Sequence, residues 1–247
     1  MNFIRSVLHL LWMVVTVIPW SLAAVLLSPF VGSRWLYWFC VGWLRTAVWG
    51  ARWILGIRVR VSGFEHLPQG DHARAVLLAK HQSTLETFVL PAIMPNPIAY
   101  VFKREILRIP FFGWAIGRLD MIHIDRGRST EAFSRVVRQG RRLIEQGIWV
   151  TMFPEGTRMA RGEAGKYRSG GARLAIDCGV PVVPIAVSSA KCWPRKAFVK
   201  RPGTVDIVIG PPIPSAGRRA NELTAEVQRW IEGEMRRIDP QAYATPA

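Results

Sequence analysis

Cysteine is scarce in this chain. Its 247 residues include three cysteines, Cys40, Cys178 and Cys192. Their odd number and wide spacing match neither a disulfide framework nor a cysteine metal site. The histidines His66, His72 and His123 also lack the spacing of metal ligands. We therefore expect free thiols, no metal site and no bound cofactor.

Motifs of covalent catalysis and of nucleotide binding are missing as well. No Gly-x-Ser-x-Gly turn is present to carry a nucleophilic serine, and no Gly-x-x-x-x-Gly-Lys loop is present to hold nucleotide phosphates. Cys178 falls at the end of a predicted helix, where a core residue is more common than a nucleophile. The sequence therefore does not indicate a nucleophilic side chain.

Acidic residues are few relative to basic ones. Asp and Glu total 17 against 33 Lys and Arg, which gives a net charge of +16. Such a charge favours an anionic partner: nucleic acid, an anionic membrane surface or a phosphorylated substrate. Half of the residues are hydrophobic, and the length suits one compact domain with an appendage.

The first 57 residues form the predicted appendage. Residues 7–27 are almost wholly apolar, which is about the length needed to span a bilayer core. Residues 35–57 are also apolar but carry Arg45 and Arg52 on one helical face, which is typical of a helix in the membrane interface. Seven of the eleven tryptophans lie in this region. We predict a two-helix membrane anchor at residues 1–57 and a second unit at residues 58–247.

Two other interpretations of the N-terminus stay open. Arg5 and the apolar run after it could form a cleavable signal peptide, with a cleavage site near Ser21-Leu22-Ala23. The apolar segments could also be a buried helical hairpin of a soluble fold, although so much tryptophan is unusual in such a core. The second apolar segment favours the anchor over the signal peptide.

From residue 58 onward, short apolar runs alternate with amphipathic segments. Strands are predicted at residues 58–61, 75–79, 99–102, 121–124, 148–153, 180–187 and 204–209. Helices are predicted at residues 83–94, 130–146, 171–178 and 221–238. This alternation predicts an α/β fold with a mainly parallel central sheet flanked by helices.

A histidine and a carboxylate follow one predicted strand. His81 and Glu86 would diverge by about 140° on one continuous helix, so they can meet only if His81 precedes the helix. The pattern Ser83-x-x-Glu86 predicts a capping box that begins the helix at Ser83. A carboxylate beside one imidazole nitrogen would leave the other to take a proton from a hydroxyl. A purely structural pair is the alternative.

A second polar stretch, residues 153–158, reads Phe-Pro-Glu-Gly-Thr-Arg after another predicted strand. Its functional interpretation is a phosphate or hydroxyl pocket, because arginine suits bidentate phosphate contact. Its structural interpretation is a surface ion pair with Gly156 at positive φ. Further basic residues lie in the same loop or after a neighbouring strand: Arg126, Arg128, Arg161, Lys166 and Arg168. A solvated basic surface is the alternative for Arg128 and Arg161.

With these residues assembled, the chain resembles the glycerophospholipid acyltransferase family, in particular its bacterial 1-acyl-sn-glycerol-3-phosphate type. The resemblance spans residues 60 to 212 and rests on four motifs in order. They are His81 to Glu86, residues 103–113 with Ile124-Asp125-Arg126, residues 153–158 with the basic segment 165–170, and the Val-Pro strand at 180–185. Glu86 stands where Asp is more frequent, and Lys80 stands where Asn often precedes the histidine.

The resemblance implies a glycerolipid acyltransferase-like α/β fold and specific roles. His81, oriented by Glu86, would be the general base for the sn-2 hydroxyl of 1-acylglycerol 3-phosphate. The hydroxyl would attack an acyl thioester directly, without an acyl-enzyme, and the product would be phosphatidic acid. The residues implied to bind the acceptor are Arg126, Glu155, Gly156, Thr157, Arg158 and Lys166. The basic ones would hold the phosphate, and the others would shape the pocket.

Partners and location follow from the same resemblance. The acceptor would be a lysophospholipid taken from a phospholipid membrane. The co-substrate would be acyl-CoA or acyl carrier protein, and no nucleic-acid partner is expected. The expected location is the cytoplasmic (inner) membrane, with the catalytic domain facing the cytosol. Three alternatives stay open: an acyltransferase for another lyso-lipid such as lyso-ornithine lipid, a thioester hydrolase, or a non-enzymatic membrane-anchored binder of anionic lipid or nucleic acid.

Overall fold

The computed structural model describes residues 1–70, 73–124 and 129–244, apart from the side chains of residues 129–134. The helices are α1 (Asn2–Leu27), α2 (Ser33–Gly50), α3 (Leu85–Ile93), α4 (Phe112–Ile116), α5 (Ser129–Glu145), α6 (Gly170–Cys178) and α7 (Ala220–Ile238). The strands are β1 (Ile57–Ser62), β2 (Val76–Ala79), β3 (Ile98–Lys103), β4 (Ile122–Ile124), β5 (Trp149–Met152), β6 (Val182–Val187) and β7 (Gly203–Ile209). All the strands predicted from the sequence are present.

The strands form one sheet in the order β1-β7-β6-β2-β5-β3-β4. Neighbouring strands run parallel except for β6 and β7, which are antiparallel. Strand β2 lies between β5 and β6, with Val76 opposite both Val150 and Val182. The predicted α/β fold with a mainly parallel sheet flanked by helices is confirmed.

Helices cover both faces of the sheet. Leu77 and Ala79 of β2 belong to the core shared with α2 and α3, whereas Val76 and Leu78 belong to the core shared with α5, α6 and α7. All four side chains are buried. A central parallel strand is covered on both faces, which explains its continuous apolar sequence. The polar residues that follow β2 in the sequence therefore lie beyond the end of the strand.

The two N-terminal helices differ in how they meet this domain. Tyr37 and Val41 of α2 join the hydrophobic core, and the Tyr37 hydroxyl accepts the Ile98 N–H at 3.0 Å. Among the described residues, α1 is the one helix long and apolar enough to cross a membrane, and many of its apolar side chains are exposed. Both predicted helices are present, but only α1 has the length and composition of a span. The boundary predicted at residue 57 stays a prediction.

Candidate active site

The two polar stretches meet because their strands are neighbours. Strands β2 and β5 pair in parallel, with Leu78 opposite Met152, so the loops after them leave the same edge of the sheet. Residues 80–84 follow β2, and residues 153–158 follow β5. The carboxyl edge of a parallel sheet is the usual place for a ligand site in open α/β folds.

His81 and Glu86 are in direct contact. His81 Nδ1 lies 3.0 Å from Glu86 Oε1, and the Glu86 side chain is fully buried. The same oxygen accepts the N–H groups of Gln82 at 2.6 Å and of Ser83 at 2.7 Å. Since a carboxylate only accepts hydrogen bonds, Nδ1 carries the proton, and Nε2 is the nitrogen left for a substrate.

The helix that carries Glu86 begins at Leu85, two residues later than the sequence predicted. The capping box is half formed. Glu86 accepts the Ser83 N–H as expected, but the Ser83 hydroxyl accepts the Leu85 N–H at 3.1 Å instead of that of Glu86. His81 therefore lies outside the helix, and Glu86 lies in its first turn, where the positive end of the helix dipole favours a carboxylate.

Stacked aromatic rings fix the plane of the imidazole. The His81 ring lies on the Phe153 ring with centroids 3.9 Å apart and planes 16° apart. Phe153 in turn stacks on Tyr100 at 5.7 Å, and the buried Tyr100 hydroxyl donates to the Glu86 carbonyl at 3.4 Å. Burial raises the pKa of Tyr100 well above its usual value, so this hydroxyl stays protonated as a donor.

The 153–158 loop also holds the main chain of His81. The His81 N–H donates to Glu155 Oε2 at 2.8 Å, and its carbonyl accepts the Met159 N–H at 2.8 Å. Gly156 has a φ of 69°, as predicted for this turn, and a Cβ there would lie 3.3 Å from Arg168 Nε. The loop thus binds both main-chain polar groups of His81, one on each side of its Cα, and brings the Arg168 side chain against Gly156.

Glu155 lies in the interior, next to the main chain of His81. Its carboxylate contacts Lys80 Nζ at 2.6 Å as well as the His81 N–H, and the side chain is fully buried. Burial raises the pKa of Glu155, while the Lys80 ammonium acts in the opposite direction. The sequence interpretation put Glu155 at the acceptor; in the described structure both of its oxygens bind protein groups, and it is not among the residues that line the cavity beside His81.

That cavity has a volume of about 1180 Å³, more than the roughly 300–1,000 Å³ of most small-molecule sites. Helices α1 and α2 supply an apolar part of the lining, which includes Met13, Val17, Trp20, Val41 and Leu44. Basic side chains supply another part: Lys103, Arg158, Arg168, Arg173, Arg195 and Lys196. With His81 in the same wall, the cavity suits a ligand that has a long apolar portion and an anionic group.

The structure brings together most of the residues selected from the sequence. Gly156, Thr157 and Arg158 line the cavity with His81. Lys166 is exposed and is not among the described lining residues. Arg126 lies outside the described residues.

Three basic residues have positions that the sequence analysis did not resolve. Arg161, which could have joined the anion site, instead pairs with Asp239 through two contacts of 2.6 and 2.7 Å. Arg195 and Lys196 were missed, although both line the cavity, and Arg195 donates to the Arg158 carbonyl at 2.7 Å. They lie in a loop far along the chain, and their one local signal is that they are adjacent basic residues.

Comparisons with known proteins agree on one family. A family model described as Acyltransferase matches residues 58–188. The chain is 39% identical to a 1-acyl-sn-glycerol-3-phosphate acyltransferase of Pseudomonas aeruginosa over 96% of this chain and 92% of that protein. It is 31% identical to the human 1-acyl-sn-glycerol-3-phosphate acyltransferase alpha over 75% of this chain and 65% of the human protein.

A solved structure shares the fold. The crystal structure of the 1-acyl-sn-glycerophosphate (LPA) acyltransferase PlsC from Thermotoga maritima superposes with a TM-score of 0.77. The superposition covers 96% of this chain and 99% of that one at 21% sequence identity. The likeness therefore includes the N-terminal helices as well as the sheet.

Proposed function

This chain belongs to the acyltransferase family, and on that premise we propose that it moves a fatty acyl group from an acyl thioester to the sn-2 hydroxyl of 1-acylglycerol 3-phosphate, giving phosphatidic acid. The observation that carries the proposal is the His81–Glu86 contact of 3.0 Å in the wall of a cavity that is part apolar and part basic. The names of the curated relatives support this acceptor.

His81 is the proposed general base. The acceptor O–H proton moves to His81 Nε2 as the oxygen attacks the thioester carbonyl, a C–O bond forms, and the C–S bond then breaks. The departing thiolate takes the proton back from His81. Glu86 keeps the proton on Nδ1 and stabilises the imidazolium, so no covalent acyl-enzyme and no cofactor are needed. A positioned base of this kind contributes about 10²–10⁴-fold to a rate.

Basic side chains are the proposed phosphate site. Arg158 lines the cavity in the same loop that holds His81, and guanidinium groups bind phosphate through paired hydrogen bonds. Arg168 extends this charge over Gly156. Arg126 and Lys166 stay in the proposal on the family resemblance alone. Thr157 and Gly156 would shape the pocket, and Glu155 would support it from below.

The apolar part of the cavity is the proposed binding site for an acyl chain. Because α1 and α2 supply that lining, the helices expected at the membrane also reach the site. Half-exposed tryptophans add apolar surface on α2 and on the helical turn after it: Trp35, Trp49 and Trp53. We propose that the protein is attached to the cytoplasmic membrane through this surface, takes its acceptor from the bilayer, and receives acyl-CoA or acyl carrier protein from the cytosol.

Product analysis tests the proposal. Purified full-length protein in mixed micelles is given labelled acyl-CoA or acyl carrier protein and a panel of lyso-lipids with and without a phosphate monoester. Phosphatidic acid formed from 1-acylglycerol 3-phosphate is the expected product. Preferred acylation of lyso-ornithine lipid would change the acceptor, and free fatty acid at saturating acceptor would make the protein a hydrolase.

A further inference from the structure

A buried lysine lies directly before the proposed base. The Lys80 side chain has no exposed surface, and its ammonium contacts Glu155 Oε1 at 2.6 Å, Glu232 Oε1 at 2.7 Å and the Glu163 carbonyl at 2.9 Å. These partners come from the loop after β5 and from helix α7. Tyr167 adds a hydroxyl that donates to Glu232 Oε1 at 3.0 Å. One cation thus joins three distant parts of the chain.

The network ends at the main chain of His81. Glu155 uses one oxygen for Lys80 and the other for the His81 N–H at 2.8 Å. Lys80 therefore sets the position of Glu155, and Glu155 sets the position of the His81 peptide. The Met159 N–H holds the His81 carbonyl from the same loop. Loss of the Lys80 contact would therefore leave the Glu155 carboxylate, and with it the main chain of the base, less firmly held.

Stability alone is a weak explanation for this arrangement. Removing two carboxylates and an ammonium from water costs several kcal/mol per ion, and apolar replacements of buried ion pairs are often equally stable. One ammonium also faces two carboxyl groups, Glu155 and Glu232, and Glu232 Oε2 is buried with no hydrogen bond to the described residues. The ionic contacts do fix the orientation of the Glu155 carboxylate, because each of its oxygens has one defined partner.

We propose that Lys80 and Glu232 are positioning residues for the reaction, which act through Glu155 to hold His81 where its imidazole meets the acceptor hydroxyl. The inference rests on the proposed function of His81. It assigns helix α7 a role in catalysis through Glu232, which lies 152 residues beyond Lys80 in the chain. Neither Lys80 nor Glu232 is among the described residues that line the cavity, so neither is expected to contact substrate.

The test is a double variant, Lys80→Met with Glu232→Gln. It removes one charge of each sign, so the buried net charge stays the same while Glu155 loses the ammonium that aims it. We expect kcat to fall about 10- to 100-fold, because a misplacement of about 1 Å can cost that much. The KM for the lysophospholipid should change by less than about threefold, since the basic lining of the cavity is intact.

The matched control is Arg161→Met with Asp239→Asn. That pair also joins the segment after β5 to the chain beyond α7, but it contacts neither His81 nor Glu155. Its kcat should stay within about twofold of wild type even where its melting temperature falls. If the first double variant does not fold, Glu232→Leu serves instead, since it keeps the Lys80–Glu155 pair; its kcat should fall about 3- to 10-fold at constant KM.

Circular dichroism and thermal melting establish that each variant is folded before kinetics are compared. Wild-type kcat in a folded Lys80→Met/Glu232→Gln protein, or in a folded Glu232→Leu protein, overturns the inference. An equal fall in kcat for the Arg161/Asp239 control also overturns it, because the effect would then follow general stability. Acyl transfer by a His81→Ala protein would be a different result. It would contradict the proposed role of His81 as the base, whereas the variants above test only the positioning roles of Lys80 and Glu232.

Discussion

Glu86 Oε1 serves three hydrogen bonds at once, to His81 Nδ1 at 3.0 Å and to the N–H groups of Gln82 and Ser83. One buried carboxylate oxygen therefore both starts helix α3 and orients the proposed base. Capping and the proposed catalytic role are compatible at this position, because the same main-chain contacts that define the helix start aim the carboxylate at the imidazole.

His81→Ala should abolish acyl transfer while the protein still folds and binds membrane. The substitution removes the proton acceptor but leaves the His81 N–H and carbonyl free to bind Glu155 and Met159. The expected loss in kcat is about 10²–10⁴-fold. The measurement is turnover of labelled acyl-CoA by purified protein, with melting temperature as the control. Turnover close to that of wild type would remove His81 from the mechanism.

Glu86→Gln should separate the two roles of this residue. The amide oxygen of glutamine can still accept the N–H groups of Gln82 and Ser83, so the fold should survive. The neutral amide cannot stabilise the imidazolium, and kcat should fall about 100-fold or more. Glu86→Ala is the contrasting variant. It leaves two N–H groups without their acceptor in the buried interior, which should also cost about 1–3 kcal/mol per group in stability. Equal kinetics for wild type and Glu86→Gln would mean that Glu86 only caps the helix.

Arg158→Ala should selectively weaken the binding of acceptors that carry a phosphate monoester. If its guanidinium binds a phosphate monoester, KM for 1-acylglycerol 3-phosphate should rise about 10- to 100-fold, since hydrogen bonds to charged groups contribute about 1.5–3 kcal/mol. Lyso-lipids without that phosphate should show a much smaller change. Arg161→Ala is the matched control, because Arg161 pairs with Asp239 and does not line the cavity. A uniform rise in KM across all acceptors would argue against a phosphate contact.

Gly171→Ala should destabilise the fold through the strand that precedes the site. A Cβ at Gly171 would lie 2.4 Å from Leu78 Cδ2 of β2, which is closer than carbon atoms pack. Overpacking of this kind costs about 1–3 kcal/mol and should lower the melting temperature by about 2–4 °C per kcal/mol. Gly233→Ala in α7 has open space and should stabilise the helix by about 0.5–1 kcal/mol. A Gly171→Ala protein that melts as wild type would show that Leu78 can move aside.

Trp49→Ser combined with Trp53→Ser should reduce membrane attachment. These side chains are 52% and 65% exposed and lie where α2 runs into the following turn. Loss of two large apolar side chains from the interface should weaken binding to anionic vesicles by about 100-fold or more, since each buried one contributes about 1.5–3 kcal/mol. Vesicle flotation measures the effect. Undiminished flotation of the folded variant would move the attachment surface elsewhere, for instance to α1 alone.

Much of this molecule could be predicted from local sequence. The apolar runs placed the strands because parallel strands that are buried on both faces have nearly continuous apolar sequences. The pair His81 and Glu86 was identifiable because its contact spans five residues and depends on where one helix begins. The apolar character of α1 was equally local. The start of α3 at Leu85 was less accessible, since Ser83 forms only half of the capping box.

Which charged side chains line the cavity depended on long-range contacts that the local sequence does not show. Lys80 is adjacent to the base in sequence, yet its partners Glu155 and Glu232 lie 75 and 152 residues away, and they draw it into the interior. Glu155, within the most recognisable motif, is withdrawn beneath His81, whereas Arg195 from an unremarked loop reaches the cavity. Local sequence determines helices and strands through periodicity and burial. Whether a charged side chain is buried in the core or lines the cavity depends on long-range pairing. A charge is buried at tolerable cost only where side chains from distant elements pair with it.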